Sequence, residues 1–200
     1  MTSSSTPQLV TRNLFAPQRR GLLHGAGMLS AGALMLLAGV PSRAQGMGAN
    51  SESDARILNV ALALEYEAIN AYQLGAESGL LQKPVLALAV RFQSDHKTHR
   101  DVLESTIRKL GGTPAPALTL QEYAKALDAA KLKSQNDVLD LAARLELGAT
   151  NAYLGVIPAF KDTQLAKVAA RVACDETLHW TLLNNALGRP LPASALSFGA

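Results

Sequence analysis

Between residues 53 and 188 apolar side chains recur every three to four positions, Ala and Leu dominate, and Gly or Pro marks each break. The spacing predicts a helix over 53–76, ending near Glu77-Ser78-Gly79. A second helix runs from Pro84, where proline suits a first turn, to Leu110; Gly111-Gly112 stops it, and Pro114 and Pro116 follow. Residues 113–134 form a long connection with a short helix around 121–129. The third helix spans 137–156, closed before Pro158, and the fourth spans 162–187, stopping at Gly188 and Pro190. Helix, short loop, helix, long crossover, helix, short loop, helix predicts an all-α fold, a four-helix bundle with one crossover.

The two halves repeat each other. LEYEAINAY (Leu64 to Tyr72) lies over LELGATNAY (Leu145 to Tyr153), and RFQSDHKTH (Arg91 to His99) over RVACDETLH (Arg171 to His179). Alanines coincide on helices by chance, but shared Glu, Asn, Tyr, Arg, Asp and His do not. The offset is 81 in the first pair and 80 in the second, so one residue separates the registers. The bundle is read as two duplicated helix hairpins joined by the crossover.

Charge changes the picture only at the N-terminus. The formal net charge is +3, but residues 1–44 hold Arg12, Arg19, Arg20 and Arg43 and no acid, leaving 15 basic against 16 acidic residues beyond them. Nothing in that balance asks for nucleic acid or an anionic membrane. Arg19-Arg20 precedes an apolar, glycine-rich run, Gly25 to Val40, and Ser42-Arg43-Ala44 offers the small residues of a cleavage site. The run is shorter than the roughly 20 residues of a spanning helix. The block resembles a twin-arginine signal, with Gln18 before the pair and Leu22-Leu23 after it. It implies export to the periplasm or beyond, already folded, with no stable membrane insertion after processing; an N-terminal anchor is the alternative. Residues 45–52 are read as a flexible entry and 189–200 as a C-terminal tail. Cys174 is the one cysteine, so the fold has no internal disulfide; it is expected as a small buried hydrophobe.

Chemistry concentrates where the repeats agree. Glu65 and Glu146 stand mid-helix among Leu and Ala, while Glu67, opposite Gly148 in the repeat, is read as solvated. Beyond residue 44 the histidines are His96, His99 and His179, all inside the duplicated motif. Glu176 and His179 are three apart and share a helix face. If the four inward faces meet, Glu65, His96, His99, Glu146, Glu176 and His179 converge. Carboxylates buried together repel unless a cation lies among them, and mixed oxygen and imidazole donors suit iron or manganese, with zinc also compatible. Asp95 and Asp175, each one turn before a histidine, are placed to take a second ring hydrogen from the facing helix. Arg91 and Arg171, four before them, are placed to pair with those aspartates. Tyr72 and Tyr153 follow their glutamates by seven residues, and Trp180 is read as a core or interface filler.

These residues resemble the ferritin-like superfamily of di-iron carboxylate bundles, which carry Glu on the first and third helices and Glu-x-x-His on the second and fourth. The resemblance covers about 53–188 and is nearest to exported bacterial ferritin-like domain proteins. It implies Glu65, Glu146, Glu176, His179 and His99 as metal ligands, with Tyr72 or Tyr153 as the catalytic tyrosine beside the reacting species. Asp175-Glu176-x-x-His179 is similar to the Asp-Glu-x-x-His run of di-iron oxygenases. His96 departs from the pattern by replacing the second helix Glu. An imidazole does not normally bridge metals as a carboxylate does, so the site holds either two ions with Glu176 bridging, or one. The expected function is a metal-binding redox protein, oxidising ferrous ion or consuming peroxide. The alternatives are a non-catalytic structural or stress-related bundle and, for a many-subunit homo-oligomer, an iron-storage cage.

Overall fold

The computed structural model describes residues 48–199; the proposed signal segment and residues 45–47 of the entry lie outside the described residues, and residues 49–52 of the entry are helical. Five α-helices follow in order: α1 (Ala49–Glu77), α2 (Lys83–Lys109), α3 (Leu120–Ala126), α4 (Gln135–Val156) and α5 (Thr163–Ala186). α1 pairs with α2, α4 pairs with α5, and α1 packs on α4, so the two hairpins form a four-helix bundle with α3 in the crossover. Among the described residues there is no strand, and no helix is long and apolar enough to cross a membrane.

Local chemistry explains the boundaries. Helix α1 begins earlier than its apolar pattern, because Gly48 is extended and Glu52 in the first turn pairs with Arg56 at 2.7 Å. Helix α4 starts at a capping box in which Ser134 and Asp137 satisfy each other's backbone N–H groups. The ends of α2 and α5 repeat one device. Gly111 and Gly188 take φ of 85° and 69°. The next N–H in each case reaches back, Gly112 to the Ile107 carbonyl at 2.9 Å and Arg189 to Asn184 at 2.8 Å. A side chain would strain both turns.

The hairpins also tie each other's loops. Asp54 at the start of α1 accepts from the N–H groups of Lys161 and Asp162 at 2.9 and 3.1 Å. Its repeat counterpart Gln135 accepts from Gln82 N–H at 2.9 Å. Two apolar clusters then flank the bundle's middle. One gathers Leu58, Leu62, Leu103, Ile107 and Leu165 around Tyr153; the other gathers Phe92, Leu139, Ala142 and Leu183 around Tyr72. Each fully buried Leu or Ile contributes about 1.5–3 kcal/mol, and this burial offsets the cost of the polar layer between them.

Two expectations fail for tertiary reasons. Glu67 is buried, not solvated, because α3 folds back on α1 and brings Tyr123 over that face. Burial, and then the nearby Glu67 charge, pushes the Tyr123 phenol up. Cys174 is exposed rather than buried, on the outer side of α5. The tail is ordered by contacts, with Phe198 edge-on to Trp180 at 5.2 Å and Gly199 N–H donating to Asn151 at 2.8 Å.

Candidate metal centre

Glu65 comes from α1, His96 and His99 from consecutive turns of α2, Glu146 from α4, and Glu176 and His179 from α5. All six are buried, Glu176 and His96 to 0% and 1% exposure. They form two overlapping groups. Glu65, His96, His99 and Glu176 present ligand atoms all within 4.8 Å of one another, and so do His96, Glu146, Glu176 and His179. His96 and Glu176 belong to both.

The two shared residues face both ways. His96 Nδ1 is 2.8 Å from Glu65 Oε2, and its Nε2 is 3.2 Å from Glu146 Oε1. Glu176 Oε1 is 3.2 Å from His99 Nδ1, and its Oε2 is 3.2 Å from His179 Nδ1. The outer nitrogens of the other histidines turn to aspartates on the facing helix. His99 Nε2 donates to Asp175 Oδ2 at 3.3 Å, and His179 Nε2 lies 3.5 Å from Asp95 Oδ2. A proton held at Nε2 leaves the Nδ1 lone pair for the interior.

The tyrosines cross between repeats. Tyr72 donates to Glu146 Oε1, and Tyr153 donates to Glu65 Oε1. Each phenol therefore serves the glutamate of the other hairpin, not the one seven residues before it. Arg91 pairs with Asp95 at 3.0 Å. Arg171 does not repeat this: it is exposed and forms no ion pair with Asp175 among the described residues. The sequence also passed over Phe92, which stacks on His179 with ring centroids 4.0 Å apart. Its place four residues before His96, on the same face, was the available signal.

Five buried atoms test whether a cation suits this cage. Among the described residues Glu176 Oε1 and Oε2, Glu146 Oε2, His99 Nδ1 and His179 Nδ1 have no hydrogen-bond partner. The imidazole nitrogens are close to carboxylate oxygens yet are not aimed at them as hydrogen bonds require. Such atoms are costly to bury unless something satisfies them, and carboxylate oxygens with imidazole nitrogens are the donor set that iron, manganese and zinc accept. The residues fit metal ions and could bind them.

Electrostatics agree. Burial would push the His96 ring down, but the Glu176, Glu146 and Glu65 carboxylates around it hold it well above its usual value. Burial likewise opposes the charged forms of His99 and His179, yet neighbouring Glu176 with Glu65 or Glu146 lifts them to about 10 and about 9. Against its own burial, Glu65 is lowered to about 2 by His96 and His99. Glu176 moves upward, through burial and the repulsion of Glu65 and Glu146. Burial and the adjoining carboxylates hold both Tyr72 and Tyr153 well above the usual phenol value.

A pH dependence follows for the metal-free protein. The folded state keeps protons on His99 and His179 that the unfolded chain releases near 6.5. That stability is whole below the unfolded value and is lost as pH rises through 9 to 10. Glu65 acts at the other end: its contribution is present above 4.5 and is lost as pH falls through about 2. The urea midpoint of metal-free protein should therefore fall between pH 6.5 and 10, while metal affinity over the same range rises because protons no longer compete. A metal-free midpoint that climbs with pH contradicts this arrangement.

Comparison with known proteins adds the family. The profile of the ferritin-like domain matches residues 53–189, more than half of the chain. The crystal structure of a conserved hypothetical protein, Rv2844, from Mycobacterium tuberculosis is similar, with 25% identity and a TM-score of 0.61 over 73% of this chain and 99% of that one. No curated protein matches. A duplicated helix hairpin, a buried Glu and His layer across its middle, and a profile match spanning all four bundle helices lead to one assignment: the chain belongs to the ferritin-like domain family.

Proposed function

We propose that this is an exported ferritin-like metalloprotein that holds two iron or manganese ions in its core and uses them in redox chemistry, oxidising ferrous ion or consuming peroxide. The observation that carries the reading is the division of six residues into two groups of four sharing Glu176 and His96. In this reading Glu65 and His99 hold one ion, and Glu146 and His179 hold the other. Glu176, whose two oxygens face His99 and His179, would be shared by both groups. His96 would serve as a terminal ligand of one group, where a carboxylate would stand in the four-carboxylate members of the superfamily.

Bound iron or manganese would supply the one-electron redox steps. The chain's own part is to hold the ions, exclude bulk water and place Tyr72 and Tyr153 as proton donors on the terminal glutamates. Asp95 and Asp175 orient His179 and His99 from outside. Export rests on the Arg19-Arg20 segment and its small-residue site at Ser42-Arg43-Ala44.

One observation favours a second reading, a bundle that works without metal. His96 already contacts Glu65 and Glu146 through its two nitrogens, so a buried imidazolium can neutralise part of the layer. Elemental mass spectrometry separates the two on the chain from residue 45 onward, purified without chelator or histidine tag. Two iron or manganese ions per chain are expected. One ion would mean that His96 has remade the site as mononuclear, and none after reloading with each metal would overturn the metalloprotein reading.

A further inference from the structure

One side of the bundle is closed differently from the other three. α1 packs on α2, α4 on α5 and α1 on α4, whereas α2 and α5 approach each other less closely. Side chains of the centre bridge this seam. His99 reaches Asp175 and Glu176 on α5, and His179 reaches Asp95 on α2. Solvent also comes nearest to the ligands here: His99 is the most exposed of the six, at 8%.

The two repeats treat their ends of the seam unequally. Arg91 pairs with Asp95 at 3.0 Å, while its counterpart Arg171 forms no ion pair with Asp175 among the described residues. The Asp95 side chain is 28% exposed and that of Asp175 53%. Phe92 stacks on the ring of His179 with centroids 4.0 Å apart. Its counterpart is Val172, so no aromatic ring lies flat on His99. Both differences point the same way. On the His179 side an opening must break a stack and release a latched aspartate; together these slow it about tenfold. On the His99 side neither restraint is present.

We propose that the Glu65 and His99 group is the exchangeable half of the centre, taking up and giving back a divalent cation through the seam at Asp175, while the Glu146 and His179 group keeps its ion. This rests on the two-ion reading above. Asp175 captures the hydrated cation with its exposed carboxylate. His99, the least buried ligand, swings aside to admit it to Glu65 and Glu176. Arg91 holds Asp95 against the same movement at the other end. Of the two reactions considered, ferrous oxidation is the one that needs such a half, because there the ion is itself the substrate.

Cobalt(II), whose visible absorption reports its ligands, tests this without turnover. The chain from residue 45 onward is loaded with two equivalents, then mixed with excess chelator in a stopped-flow. Wild type should release cobalt in two phases of equal amplitude, about tenfold apart in rate. Arg91→Gln removes no ligand; by unlatching Asp95 it should speed the slow phase about two- to fivefold and leave the fast one unchanged. Asp175→Asn should slow uptake of the fast ion alone and weaken the dependence of that uptake on ionic strength. Both side chains are more than half exposed, so neither substitution disturbs the core. Release of two ions in one phase, an Arg91→Gln protein whose slow phase is unmoved, or an Asp175→Asn protein whose fast uptake is unmoved overturns the inference. Fewer than two cobalt ions bound by wild type is a different failure, and overturns the two-ion reading itself.

Discussion

Glu176→Gln should release the metal while leaving the metal-free bundle as stable as before or more so. The substitution keeps the side chain's volume and removes the charge shared by both ligand groups. Outer supports of metal ligands already cost about 10–100-fold in affinity when removed, so losing a ligand common to both groups should exceed about 100-fold. The stability half of the prediction comes from repulsion. Glu176 is raised by burial and by the charges of Glu65 and Glu146, and both of its oxygens lack hydrogen-bond partners among the described residues. A neutral amide relieves that repulsion, the usual pattern where function and stability conflict. Elemental analysis and thermal melts of metal-free protein check the two halves. Retained metal, or a metal-free melt well below wild type, would show that Glu176 is part of the scaffold rather than a ligand. By contrast, Asp175→Asn should weaken only the ion beside His99, by the 10–100-fold expected of an outer support.

The second large effect is on stability itself. A ligand present at a thousand times its dissociation constant adds about 4 kcal/mol to the folded state, and a domain of this size gains about 2–4 °C per kcal/mol. One tightly held iron or manganese ion should therefore raise the melting temperature by about 10 °C, and a second should add to it. Chelator should reverse the gain. The physical source is the layer between the two apolar clusters, where three carboxylates and three imidazoles are held out of water. Those groups satisfy one another only in part without a cation. Calorimetry with and without chelator gives the shift. No change on loading would leave the layer as a self-neutralised polar core, with the His96 imidazolium as its central charge.

Much of this was legible along the chain, for reasons that can be named. Helical period and the Gly and Pro stops locate four bundle helices. The 81 and 80 offsets expose the duplication, and an imidazole or carboxylate recurring on the inward face in both copies marks the six candidate ligands. These are local and periodic properties, and a helix carries its face in its spacing.

The remaining features depend on which helices meet and how closely. Spacing placed Tyr72 with Glu65, yet bundle geometry hands it to Glu146 because the facing helix supplies the acceptor. Glu67 looked like a solvated residue until α3 covered it. Two arginines occupy equivalent sequence positions, but only Arg91 pairs with its aspartate, while Asp175 gives its oxygen to His99. Whether six ligand candidates make one group or two was likewise undecided until Glu176 and His96 were seen to face both ways. Sequence alone determined the residue types, the helix faces and the twofold repetition, because these depend on neighbours within a turn or two. Tertiary structure decided the partners, since a side chain's hydrogen bond or metal group is set by distances between segments that no periodicity encodes.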